Sequence, residues 1–157
     1  MKKLLERAIE LRNEQKYEES KEILIGLTNT TKDPEIFYQC AWTHDAMGLE
    51  TDAVPYYEQA IANGLEGESL CGVYIGLGST YRCIGEYDKA IVTLEAGIKQ
   101  FPDNDTMKVF LSLANYNVKE YEEAMKLLLE TVVELEHVKE YEEAILFYRD
   151  HLHDTFK

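Results

Sequence analysis

Apolar residues recur along this chain at helical spacing and are broken at regular intervals by turns. The clearest run is residues 74–102, YIGLGSTYRCIGEYDKAIVTLEAGIKQFP. Tyr74, Leu77, Gly78 and Tyr81 keep helical spacing, the mark of a helix with one buried face. Gly85 interrupts the pattern. A second stripe follows at Tyr87, Ala90, Leu94 and Gly97, and Pro102 closes it. Two helices joined by a tight turn are predicted, with Gly78 and Ala90 small where the helices approach. Paired stripes occur elsewhere. Leu4, Ala8 and Leu11 precede Tyr17, Ser20, Leu24 and Leu27, with a turn at 13–16. Phe37, Cys40, Ala41 and His44 precede Ala53, Tyr57, Ala60 and Ile61, with Gly48 between them and Gly64 as a left-handed cap. Leu111, Ser112 and Asn115 precede Tyr121, Ala124 and Leu128, and Lys119 stands where the turn glycine would be. Asp33-Pro34 is a good helix start, a capping carboxylate followed by proline at the first helical position. Asp103 and Asn104 are capping candidates for the next pair. Pro55 falls near the start of its helix, where it need not break it.

Turn, small residues, aromatics and closing proline, in this order, resemble the tetratricopeptide repeat. That resemblance implies an all-α fold, a right-handed superhelical stack of helix–turn–helix units about 34 residues long. Ser20, Ala53, Ala90 and Ala124 open the second helices, and their numbers differ by 33, 37 and 34. Four units follow, at approximately 2–32, 33–66, 67–102 and 103–136, within a single domain 1–157. The long step is absorbed by extra loop residues around Gly64–Ser69. Departures from the family pattern are Arg7 and Glu50 where large apolar or aromatic groups are usual, and Ser20 where alanine is usual.

The tail repeats a short phrase. Val118-Lys-Glu-Tyr-Glu-Glu-Ala124 recurs as Val138-Lys-Glu-Tyr-Glu-Glu-Ala144, an offset too short for a helix pair. One helix over 138–155 is predicted instead, with a stripe at Val138, Tyr141, Ile145, Tyr148, Leu152 and Phe156. Such a helix suits the end of a stack. No Gly or Pro occurs between Glu120 and Lys157, so a continuous helix through His137 is the alternative.

Charge narrows the partners. Lys+Arg is 16 against Asp+Glu 30, a formal net charge of −14. Such a chain repels phosphate backbones and anionic lipid, which argues against nucleic acid and membrane surfaces. The N-terminal MKKLLERAIEL is interrupted by charge and reads as an amphipathic helix, not a signal or span. Cys40, Cys71 and Cys83 are an odd number without C-x-x-C spacing, which fits reduced thiols and a cytoplasmic location.

Candidate chemistry is thin. Phosphate loops, H-E-x-x-H, nucleophile elbows and EF-hand loops do not occur in the sequence. Gly76-Leu77-Gly78 lies inside a helical pattern and follows no strand. His151 and His153, two apart, point to different sides of a helix, and His44 and His137 are isolated. Cys71 and Cys83 are twelve apart in one helix, roughly 18 Å along its axis. Cys40 reads as a small core residue. The acidic pairs Glu18-Glu19, Glu122-Glu123 and Glu142-Glu143 open helices, where negative charge complements the dipole. The expectation is no enzyme, no metal and no cofactor.

The repeat resemblance implies that first helices line an inner surface. The residues carried to it are Leu5 and Ile9; Tyr38, Trp42 and Asp45; Ile75, Ser79 and Arg82; Val109, Leu113 and Tyr116. Contiguous apolar and aromatic area marks a binding surface, or else seals neighbouring helices. Asp45 and Arg82 occupy equivalent places in successive units and are expected to pair. Relatives that bind chaperone carboxylates use basic residues at places that here hold Leu5, Ile9, Gln39, Gly72 and Gly76, so that function is not expected. The runs 44–57, 78–82 and 101–110 are similar to small bacterial single-domain tetratricopeptide proteins, a likeness covering 35–156. It implies protein–protein contacts and a homodimer. The expected function is therefore an interaction module that binds a peptide or helix in its groove. A homodimer that uses the groove or the tail helix for self-association, and a small acidic chaperone, are the alternatives.

Overall fold

The computed structural model describes residues 1–136 and 138–154. Among these the regular secondary structure is all helical. The helices are α1 (Lys2–Asn13), α2 (Tyr17–Thr28), α3 (Pro34–Ala46), α4 (Glu50–Ala62), α5 (Gly67–Cys83), α6 (Tyr87–Gln100), α7 (Asp105–Asn117), α8 (Tyr121–Val132) and α9 (Glu142–Arg149), with a 3-10 turn at Lys139–Tyr141. None is long and apolar enough to cross a membrane. The chain divides into two compact units, residues 1–86 and 87–157.

In the first unit α1 packs on α2, α2 on α3, α3 on α4 and α4 on α5. The alternate helices α1, α3 and α5 also touch in sequence. They form one layer, with α2 and α4 behind them. Small residues permit this. Ala8, Cys40, Ala41, Ala53 and Ala60 are fully buried, with Leu24, Ile36 and Val73 filling the space between helices. Ser20, the departure from alanine, is also fully buried; its hydroxyl donates to the Ala8 carbonyl at 2.8 Å and lies 3.4 Å from the Thr43 hydroxyl. A buried hydroxyl with a partner costs little. Arg7 is exposed and pairs with Glu10, so no apolar contact is lost there. Leu4, placed in the first stripe by spacing, is exposed, and Leu5 packs on the Ala8–Leu24–Cys40 cluster instead. Asp33 caps α3 by accepting from the Glu35 N–H, and α4 continues through Pro55.

In the second unit α6 packs on α7, α7 on α8 and α8 on α9. Asn104 caps α7 by accepting from the Met107 N–H. Ala90, Leu94, Met107 and Ala114 are fully buried. The acidic pairs lie in the first turns of α2, α8 and α9, where they complement the helix dipoles.

The tail departs from expectation. The helix predicted over 138–155 is shorter, with its 3-10 entry at 139–141 and α-helix only over 142–149; 150–153 are turn and Phe156 lies outside the described residues. Nor is it continuous with α8, which stops at Val132. Val133 is buried and caps α8, while Glu130, Glu134 and Glu136 gather at that end. Acids at a helix C-terminus oppose its dipole, and α8 has no basic residue in its last turn, although Arg149 of α9 pairs with Glu130 at 2.9 Å. The stripe also fails to bury itself: Tyr141 and Tyr148 are exposed.

The turns carry a repeat more regular than the stripes. Gln15, Gly48, Gly85 and Lys119 all have positive φ, at 63°, 71°, 83° and 69°. They step along the chain by the same intervals as the small residues that open the second helices. At each, the left-handed residue donates to the carbonyl three before it, and its successor to the carbonyl five before itself. For Lys119 and Glu120 these bonds reach Tyr116 and Asn115 at 3.1 and 2.9 Å. Each is a Schellman cap. Gln15 and Lys119 place a side chain where only glycine is free of strain, at roughly 1 kcal/mol each. Lys119→Gly is therefore expected to stabilise the chain by about 0.5–1 kcal/mol, less the entropy glycine adds to the unfolded state. Urea denaturation of the pair measures it, and a destabilised variant would contradict the assignment of strain.

Candidate functional site

The site is built where α1, α3, α4 and α5 of the first unit meet. Trp42 is the sole tryptophan, and on α3 it is 45% exposed. It is nonetheless held. Tyr38, one turn earlier, stacks on it with ring centres 5.8 Å apart and planes 22° from parallel. The Arg12 guanidinium lies 3.8 Å from the indole centroid, a cation–π contact. Arg12 itself is buried and donates to the Gln39 carbonyl at 3.4 Å. Burial depresses its pKa, opposed by the nearby Tyr38, Tyr57 and Glu35.

Behind this ledge Tyr57 of α4 is buried and tilts against Tyr38 at 6.4 Å. Its hydroxyl donates to Asp45 Oδ2 at 2.7 Å. Thr80 of α5 donates to both Asp45 oxygens at 2.9 Å. The expected Asp45–Arg82 pair is thus replaced by two hydroxyl donors. The reason is position: Tyr57 of α4 and Thr80 of α5 are buried in the helix contacts and bring their hydroxyls directly onto the carboxylate. Desolvation raises the Asp45 pKa, and the two hydroxyls only partly oppose it. Burial and the same carboxylate push the Tyr57 phenol well above its ordinary value.

Two glycines of α5 make room. A methyl at Gly72 would collide with the Tyr38 hydroxyl. One at Gly76 would lie 2.6 Å from Tyr57 Cζ. The tyrosines therefore rest directly on α5 backbone. Tyr38, Trp42, Asp45, Ala46, Tyr57, Gly72, Ile75 and Gly76 line an open cavity of about 420 Å³. Ser79 donates to the Gly76 carbonyl at 2.9 Å, a contact within its own helix, and Arg82 is half-buried on α5.

Of the eleven inner-surface residues named from sequence, Tyr38, Trp42, Asp45 and Ile75 come together around this cavity. Val109, Leu113 and Tyr116 belong to the second unit. There they line an apolar hollow of about 390 Å³ with Ser112, Tyr121, Ala124, Met125 and Leu128. Tyr121, assigned to the packed stripe by spacing, is exposed and tilts on Tyr116 at 5.0 Å. Sequence reading misses Arg12, yet its signal is present. It stands one repeat before Asp45, as Asp45 stands one before Arg82 and Arg82 one before Tyr116.

Cys40 is not a candidate nucleophile. It is buried, burial pushes its thiol up to about 12, and the adjacent His44 Nδ1 donates to the Cys40 carbonyl at 2.7 Å. Toward the C-terminus, His151 Nδ1 donates to the Phe147 carbonyl, while His153 faces Glu122 at 3.7 Å. Among the described residues no group of three His, Cys, Asp or Glu could hold a metal ion.

The same architecture is found in solved structures. YrrB, described as a TPR protein with an unusual peptide-binding site, superposes with a TM-score of 0.73 at 14% identity, over 92% of this chain and 71% of that one. MamA 41-end from Desulfovibrio magneticus RS-1 gives 0.75 at 16% identity, over 98% and 97%. Another MamA structure gives 0.74 at 19% identity, over 98% and 77%. At these identities the likeness shows the fold. A comparison with curated proteins gives no significant match. The tetratrico peptide repeat profile matches residues 34–152, from the start of α3 through α9. With helix pairs, Schellman turns and small-residue contacts recurring at the repeat's own period, this chain belongs to the tetratricopeptide repeat family.

Proposed function

We propose that the protein is a non-enzymatic interaction module that binds a peptide segment of a partner protein on the α3–α5 surface of the first unit. Trp42 carries this reading. A large aromatic left 45% exposed is costly to hold still, and here Arg12 and Tyr38 fix it over an adjoining cavity. Preordered aromatic surface of this kind loses little entropy on binding and supplies most of the energy in peptide and protein contacts. The peptide-binding site described for YrrB, on the same fold, is consistent with it. The residues in contact would be Tyr38, Trp42, Asp45 and Ile75, with Arg12 as support. The test is selection of a random heptapeptide library on the immobilised protein, with the Trp42→Ala protein as the counter-selecting surface. Trp42-dependent binders are expected, and each should shift the fluorescence of the single tryptophan. Recovery only of peptides that bind both proteins equally would sink the proposal.

A second reading rests on the second unit. Val109, Leu113, Tyr116, Tyr121 and Met125 are exposed together on α7 and α8, and Tyr141, Phe147 and Tyr148 on the tail. Two exposed apolar surfaces on one chain suit self-association, each covering the other in a second copy. Sedimentation equilibrium is expected to give a dimer that Tyr116→Glu with Met125→Glu dissociates. A wild-type monomer at high micromolar concentration would refute it.

A further inference from the structure

We propose that the cavity beside Trp42 takes a basic side chain, a lysine or arginine of the partner peptide, with Asp45 as its counter-charge. This rests on the peptide-binding reading above and adds the chemistry of the ligand. The cavity has aromatic walls, Tyr38, Trp42 and Tyr57, and Asp45 as its acidic lining residue. Aromatic faces with one carboxylate match an alkylammonium or guanidinium, whose stem packs on rings while its head meets the charge.

Asp45 has capacity for such a guest. A carboxylate offers about four acceptor sites, and its partners here are two hydroxyls, Tyr57 and Thr80. Hydroxyl donors orient the carboxylate without neutralising it. The groups that set its titration include no lysine or arginine: Tyr57 of α4 and Thr80 of α5 bond to it, Glu50 repels it and His44 favours its charge. Desolvation already works against that charge, so a cation entering the cavity would relieve a standing cost. Arg12 is itself a cation held on the Trp42 ring, 3.8 Å from its centroid, and as a like charge it opposes the guest, an opposition that Asp45 must outweigh. The net charge of −14 draws a basic segment toward the protein at long range.

The experiment uses the Trp42-dependent heptapeptides from the selection just described. They are expected to share Lys or Arg at one position. Replacing that residue by norleucine, which keeps the stem and removes the charge, should weaken binding to the wild-type protein about tenfold in calorimetry. The Asp45→Asn protein should bind both versions alike. The asparagine carbonyl can still accept from Tyr57 and Thr80, and thermal melts followed by circular dichroism confirm that the variant is folded. Trp42-dependent peptides without a shared basic position, norleucine versions that bind as well, or discrimination that survives in Asp45→Asn would each overturn this inference and leave the peptide-binding reading standing. Absence of Trp42-dependent peptides would overturn both.

Discussion

Leu24→Ala is expected to cost the folded chain about 2–5 kcal/mol, the largest stability loss of any single truncation considered for the first unit. Leu24 is fully buried on α2, where it packs with Ala8 of α1 and Cys40 of α3, ringed by Leu5, Ile23, Ile25 and Tyr56. The transfer term for the lost methyl groups is only part of the cost. The rest is the cavity, and its size depends on whether neighbours can collapse. Here the two buried neighbours, Ala8 and Cys40, are too small to reach into the space, so the hole stays open. A loss of that size is a large share of a typical domain's stability of about 5–15 kcal/mol. In a repeat protein it falls first on the unit concerned, because each unit leans only on its neighbours. Urea denaturation gives the magnitude, and native-state hydrogen exchange should show α1 and α2 opening ahead of the rest. A loss below about 1 kcal/mol would mean that Leu24 does not fill the junction of three helices.

Trp42→Ala should behave in the opposite way, with a small change in stability and a large one in binding. The indole is nearly half exposed, so its truncation removes the contact with Tyr38 and the cation–π contact with Arg12. Those are worth roughly 0.5–2 kcal/mol, partly recovered as Arg12 relaxes toward solvent. For a peptide seated on the indole the cost is that of a hot spot, about 2 kcal/mol or more, some thirtyfold or greater in Kd. Calorimetric titration of a selected peptide against both proteins measures the second effect, and thermal melts the first. A melt lowered as far as that of Leu24→Ala would mark Trp42 as core packing and count against its role in binding.

The helices are legible in the sequence because turns and small residues recur at nearly constant intervals. That ruler survives in the left-handed turns, the buried small residues and the inner-face positions alike. That Trp42, Tyr38, Asp45 and Ile75 come together around one hollow is legible for the same reason. The ruler also marks Arg12, but a lone arginine late in a terminal helix looks like a solvated charge until its stacking is seen. What spacing cannot give is the choice between competing partners. Asp45 has a plausible cation in Arg82 at the equivalent position, while the hydroxyls of Tyr57 and Thr80 depend on two rotamers and on the room left by Gly76. The tail is illegible for another reason. No glycine or proline ends α8; buried Val133 and the dipole's conflict with nearby acids do.

Asp45 has one further consequence. Its carboxylate sits on α3, and its two donors come from α4 and α5. The group proposed to meet a ligand is therefore also a rivet through three helices. A lineage that changed ligand here could not trade the carboxylate freely, since any replacement must still accept from two hydroxyls or the joint between neighbouring repeats loosens. Recognition and architecture are under a shared constraint at this residue, and the permitted drift in specificity lies in the walls around it, at Tyr38, Trp42 and Ile75.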